Sequence, residues 1–196
     1  MDVFEAVKTR RSIRKFKPDP VEKEKLEKIL EAGRLAPSAA NRQPWHFIVV
    51  NDPAVREALR LAHESDWSVR STSQVLMAPV IIVACAEPEA AWRRSDGEEY
   101  WKVDVAIAMQ NMVLTATDEG LGTCWIGAFN EENIKKVLKI PPEIRIVALT
   151  PLGYPAESKG VVSDRKPLTE IAHYSDVLPQ LKLWASRFNI FTHHSS

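Results

Sequence analysis

Three arginines, a lysine and a serine stand together in Thr9 to Phe16, TRRSIRKF, in a chain of 196 residues whose 26 Lys and Arg are balanced by 26 Asp and Glu. A guanidinium presents paired donors to phosphate oxygens, and the short hydroxyl of Ser12 adds another donor close to the backbone. If the segment continues a helix, Arg10 and Arg14 share one face. The chemistry this suggests is the binding of an anion, above all a phosphate. The plainer alternative is a solvated helix end making surface salt bridges, each worth about 0–1 kcal/mol. Nucleic acid is a third possibility, disfavoured because zero net charge gives no long-range field and Phe16 is the one aromatic residue in the cluster.

Three further segments offer chemistry. Ala36 to Phe47, APSAANRQPWHF, combines small residues that admit a flat ligand with Ser38, Asn41 and Gln43, whose donors and acceptors can read polar edges. The same residues would also serve as a rigid turn anchored by Trp45 in the core. In Gly120 to Phe129, GLGTCWIGAF, Gly127 leaves the main chain open to a ligand. Ser163 to Leu168, SDRKPL, brings Arg165 and Lys166, which either complete a phosphate site or form a charged loop. There is no GxGxxG, Walker lysine, HExxH or GxSxG. A cofactor must therefore carry any difficult chemistry. Cys85 and Cys124 stand alone in apolar surroundings and are expected as buried free thiols, with no metal site.

The elements that position these segments alternate between helix and strand. Asp2 and Glu5 have capping-box spacing, so a helix is expected from Val3 to about Arg10, burying Phe4 and Val7. After KPDP, with Asp19 as cap and Pro20 in the first turn, Leu26, Ile29 and Leu30 mark a second helix ending near Leu35. HFIVVND is a strand, PAVREALRLAH a helix started by Pro53, and VIIVACA a buried strand. The longest helix is expected from Glu98 to about Glu119, stopped by EGLG. Its Ala106, Ala108 and Ala116 admit another helix closely, in the core or across a dimer. TCWIGAF, a capped helix NEENIKKVLKI and a strand IRIVALTPLGY follow, and Leu181, Trp184 and Phe188 recur at helical spacing in the tail. A mixed sheet with helices on both sides accommodates this order. The longest apolar run, Ala78 to Ala86, is too short to span a membrane, and the start MDVFEAVK lacks a signal peptide's apolar core, so the cytoplasm is expected.

Taken in order and at these separations, RRSIRKF, APSAANRQPWHF, GLGTCWIGAF and SDRKPL resemble the FMN-dependent nitroreductase family, over about Val3 to Ile171. The resemblance implies an α+β fold: a three-layer α/β/α sandwich with a mixed, mainly antiparallel sheet, in an intertwined homodimer with FMN at the subunit interface. Residues 1–175 would form the single FMN-binding domain, and 176–196 a helical tail packing on the partner. Arg10, Ser12 and Arg165 would hold the phosphate and ribityl chain, with Arg11 and Lys166 nearby. Arg14 would lie beside the flavin N1 and C2 carbonyl, where reduction leaves negative charge. Pro37, Ser38, Ala39, Asn41 and Gln43 would flank the ring from the other subunit, and Trp125, Ile126 and Gly127 would pass N5.

The implied reaction is a ping-pong hydride transfer from NAD(P)H through N5 to a nitroaromatic, quinone or related acceptor, with no obligatory protein acid or base. Two alternatives stay open. One is the deiodinase-like branch, which needs a hydroxyl near N5, where Thr123 is close in sequence. The other is an FMN-binding protein without turnover. A flavin-fragmenting relative is supported by no feature. Substrate contacts are expected from His63 to Gln74 and Glu87 to Trp101, with Trp67 and Trp92 either as stacking surfaces or as surface anchors, and Arg70, Arg93 or Arg94 as carboxylate partners.

Overall fold

Asp2 caps the first helix as its spacing from Glu5 predicts: its carboxylate accepts the Glu5 N–H at 2.9 Å, and α1 runs Val3–Thr9. The computed structural model that shows this describes residues 1–64, 75–162 and 164–173. These belong to two units, Met1–Val161 and Val162–Ser196. The first contains α1, α2 (Lys23–Arg34), β1 (Trp45–Val50), α3 (Pro53–Glu64), β2 (Val80–Ala86), α4 (Trp101–Asp118), β3 (Gly122–Thr123), α5 (Glu131–Leu138) and β4 (Arg145–Gly153). The second contains α6, Leu168–Ile171.

The four strands form one sheet in the order β1-β2-β4-β3, and each neighbouring pair is antiparallel. A parallel bridge between Ser12 and Thr123 makes the pairing mixed. The central strand β2 is buried along its whole length, and its alternation divides the core. Ile81, Val83 and Cys85 pack with Leu59 of α3 and Ile134 of α5. On the other face, Ala84 and Ala86 pack with Val105 and Met109 of α4, while Val80 and Ile82 join Ile29 of α2 and Met112 of α4. The result is the three-layer sandwich of an α+β fold. Burial pushes the Cys85 thiol up to about 12, and both cysteines are free and buried, as their surroundings predict.

Helix starts and stops follow local chemistry. Asp52 accepts the N–H groups of Ala54 and Val55, Asn130 accepts that of Asn133, and Gly120 takes φ +73° just after α4. Several expectations are corrected. The second helix begins at Lys23, not at Pro20, with Glu22 rather than Asp19 in the capping position. The fourth begins at Trp101, because residues 93–99 are taken up by an Arg93–Glu99 bridge. After α4, Gly122 and Thr123 form the short strand β3, and the rest of TCWIGAF continues outside it.

The largest correction concerns α1. Phe4 and Val7 are exposed, at 68% and 51%, and so is Val3. The helix rests on α4 instead through Ala6, its one buried residue, so its apolar stripe points outward. Val103 and Ile107, one turn apart on α4, are also exposed. The small residues of α4 are divided differently: Ala108 and Ala116 are fully buried within the chain. Close approach of α2 to α4 depends on Gly33, where a Cβ would come within 2.7 Å of the Met112 sulfur.

Candidate functional site

Helix α1 ends one residue before Arg10, which caps it with φ −54° and ψ 128°, and the chain then runs extended. Arg10 and Arg14 therefore do not share a helical face. Their relation is set by strand alternation: Ile13 is buried, and Ser12 and Arg14 project to the other side. Ile13 fits because Gly122 has no side chain; a Cβ there would meet Ile13 atoms at 2.8–2.9 Å. The Ile13 N–H donates to the Thr123 carbonyl at 2.8 Å.

That contact joins two of the sequence segments. Two residues past Thr123, the chain presents Trp125, 40% exposed. Ile126 is buried and held by reciprocal backbone hydrogen bonds to Leu149 of 2.8 and 3.0 Å. Gly127 follows, exposed, and a Cβ there would meet nothing within 4 Å among the described residues. Thr123 itself is 4% exposed.

The Pro37–Gln43 loop is held elsewhere, by α4. Asp104, 1% exposed, accepts the Ala39 N–H at 2.9 Å, while its second oxygen has no partner among the described residues. The Ser38 hydroxyl accepts the Gln43 N–H at 2.9 Å. Ala40, Asn41 and Gln43 take φ of 49°, 54° and 51°, a left-handed backbone that costs L-residues roughly 1–2 kcal/mol each and is sustained here by these anchors. Trp45 is buried in the core, as the rigid-turn alternative predicts.

Asp104 was not legible in the sequence, where it is one acid among many on a long helix. Burial raises its carboxyl above the usual carboxylate range, opposed by the Ala39 hydrogen bond. Its folded form thus binds a proton more tightly than its unfolded form. This contribution favours folding at low pH and is lost as pH rises from the ordinary carboxylate value through the raised one. Asp104→Asn is expected to remove that part of the pH dependence. Chemical denaturation of the two proteins from acid to neutral pH checks it, and parallel stability curves would contradict it.

Arg10, Arg11 and Arg14 have no carboxylate partner among the described residues, whereas Arg34, Arg60, Arg93, Arg94 and Arg145 each face one. The surface-salt-bridge alternative for TRRSIRKF therefore lacks its salt bridges. Three guanidiniums without a carboxylate partner among the described residues and a serine hydroxyl, on the segment that bridges Thr123, form a donor set that fits a phosphate-bearing ligand, and Gly127, further along the chain from Thr123, offers an open backbone. Arg165 and Lys166 belong to the second unit and are exposed. Trp92 is half-buried and meets Tyr100 edge-on, with ring centroids 4.9 Å apart. Arg93 pairs with Glu99 and Arg94 with Asp96, so that loop satisfies its own charges. Trp67 and Arg70 lie outside the described residues. Among the described residues, no three His, Cys, Asp or Glu come together as a metal site, and no helix is long and apolar enough to cross a membrane.

The three-layer sandwich with an anion-binding donor set at the β3 edge defines a class by fold and site, and comparison with known proteins specifies it. The sequence profile of the nitroreductase family matches residues 7–154. A Methanothermobacter thermautotrophicus protein, provisionally named NADH dehydrogenase/NAD(P)H nitroreductase, is 38% identical over 82% of this chain and 81% of its own length. A nitroreductase family protein from Clostridium novyi, solved as a crystal structure, is 45% identical with a TM-score of 0.73, over 80% of this chain and 87% of that one. An FMN-dependent nitroreductase from Clostridium difficile is 32% identical with a TM-score of 0.75, over 88% and 98%. The chain belongs to the nitroreductase family.

Proposed function

We propose that this chain is an FMN-dependent oxidoreductase that carries electrons from NAD(P)H to a nitroaromatic, quinone or related acceptor, as a cytoplasmic homodimer. The observation that carries this reading is the set of three arginines, Arg10, Arg11 and Arg14, without a carboxylate partner among the described residues, on a segment whose Ser12 bridges Thr123 of β3. FMN, when bound, supplies the hydride-transfer chemistry, in ping-pong order between NAD(P)H and the acceptor.

The chain's own residues bind and orient. Arg10 and Ser12, with Arg11, hold the phosphate and ribityl chain, and Arg165 and Lys166 are the cationic candidates that the second unit contributes by sequence. Arg14 puts a fixed positive charge at the pyrimidine edge, where it favours the reduced state. Ile126, locked to Leu149, fixes the segment from which the Gly127 amide can donate toward N5. Pro37, Ser38, Ala39, Asn41 and Gln43 flank the ring from the partner subunit, in a loop already held rigid by Asp104. Residues 1–175 are the FMN domain in this reading; the tail 176–196, with Leu181, Trp184 and Phe188, lies outside the described residues. The exposed Val3, Phe4, Val7, Leu35, Val103 and Ile107 supply the apolar surface that such a dimer would cover. Trp67, Arg70 and Trp92 are the proposed substrate contacts.

The deiodinase-like alternative needs a hydroxyl beside N5. Trp125, Ile126 and Gly127 carry none, and Thr123 is buried, which favours hydride chemistry. The test is direct. The purified protein is expected to be yellow, to be bleached by NADH or NADPH, and to be reoxidised by a nitroaromatic. Colourless protein that takes up no added FMN overturns the reading. Yellow protein reduced no faster than free flavin would leave a binding protein without turnover.

A further inference from the structure

The extended segment Ser12–Lys17 lies along the sheet with one edge facing β3 and the return of β4, and a lone edge of this kind needs partners for its remaining backbone groups. Part of that need is met by the chain after β4: the Lys17 N–H donates to the Tyr154 carbonyl at 2.8 Å, and the Ala156 N–H donates to the Lys15 carbonyl at 2.9 Å. Two side chains standing in for a strand meet three more of these groups. Glu157 accepts the N–H of Arg14 at 2.6 Å and that of Lys15 at 3.3 Å. Lys159 donates to the Ser12 carbonyl at 2.7 Å and pairs with Glu157 at 3.2 Å. Hydrogen bonding to the Arg14 amide is the main influence holding the Glu157 carboxyl below the usual carboxylate range.

We propose that Glu157 and Lys159 are a positioning pair, which fixes Ser12 to Lys15 by the backbone so that the side chains of Ser12 and Arg14 stay free to hold the cofactor. The charges matter as well as the bonds. A lone carboxylate at this place would compete with the anionic ligand for the Arg14 guanidinium; the Lys159 ammonium occupies it instead, and the pair is neutral in sum. Neither residue touches the reacting atoms. Their effect is carried through Ser12 and Arg14, and it rests on the flavin reading above for its functional consequence.

Hydrogen exchange on the cofactor-free protein separates the two claims. Glu157→Ala is expected to speed exchange at the Arg14 and Lys15 amides while leaving β2 unchanged, and Glu157→Gln, which keeps an acceptor, to restore most of the protection. FMN added to the same proteins should bind Glu157→Ala about tenfold or more weakly, as expected for loss of a hydrogen bond to a charged group, with the potential of the bound flavin shifted negative. Lys159→Met should likewise weaken FMN, because it frees Glu157 for Arg14. If Glu157→Ala does not fold, Glu157→Gln and Lys159→Met decide by the same measurements. Unchanged exchange at Arg14 and Lys15 overturns the positioning pair, whether or not FMN binds. Faster exchange with unaltered FMN affinity and potential overturns its link to the cofactor. Wild-type protein that binds no FMN sinks the flavin reading, and exchange still decides the pair.

Discussion

Gly153→Ala is expected to lower the thermal midpoint of the cofactor-free protein by about 6–12 °C, from overpacking worth about 3 kcal/mol in a chain of this size. A Cβ at Gly153 would stand 2.6 Å from Cδ and 2.8 Å from Cγ of Pro79. Those atoms belong to a closed ring, which cannot swing aside as a flexible side chain would. Pro79 also leads directly into the central strand β2, whose Val80 registers on Leu152 of β4, so relief would require the β2–β4 pairing to shift. The control is Gly127→Ala, where the added methyl meets nothing within 4 Å among the described residues. That variant should keep the parent's midpoint and lose affinity for FMN. Differential scanning calorimetry of both proteins is the measurement; a Gly153→Ala midpoint within 2 °C of the parent, roughly the effect of half a kcal/mol, would contradict the packing argument.

Arg14→Ala is expected to make the potential of the bound flavin more negative by about 30–60 mV, the worth of one charge-assisted hydrogen bond on a two-electron couple. The sign follows from charge. Reduction places negative charge on the pyrimidine edge, a nearby guanidinium favours that state, and removing it favours the oxidised one. Arg14 suits the task because its guanidinium meets no carboxylate among the described residues and its backbone is held independently by Glu157. Arg14→Lys keeps the charge without the fork and should fall between parent and alanine variant. Dye-equilibrium titration of the three proteins reads the potentials. Equal potentials would remove Arg14 from the pyrimidine edge, while normal FMN affinity in Arg14→Ala would show that phosphate binding rests on other residues.

The parts of the fold that were legible in the sequence are those with a local cause. Asp2 and Asn130 announced their helices through side-chain caps, and the run VIIVACA announced a strand buried on both faces. The family was legible in four segments whose order resembles it, and that family is borne out by the family profile and the solved relatives. Glu157 and Lys159 were not, because two opposite charges spaced by one residue in a polar loop look like any solvated surface. Phe4 and Val7 were misjudged for a related reason: an apolar stripe says that a face is to be covered, and it does not say whether the cover comes from the same chain.

TRRSIRKF shows where the division falls. Its composition alone determined that an anion was the plausible ligand, since donor chemistry belongs to residue types wherever they sit. Whether the guanidiniums would be spent on salt bridges was decided by the tertiary structure. Ile13 is drawn toward Gly122, the chain leaves its helix at Arg10, and Glu157 takes backbone amides in place of guanidiniums. Those partners lie more than a hundred residues away in sequence, and no local pattern encodes a contact at that separation.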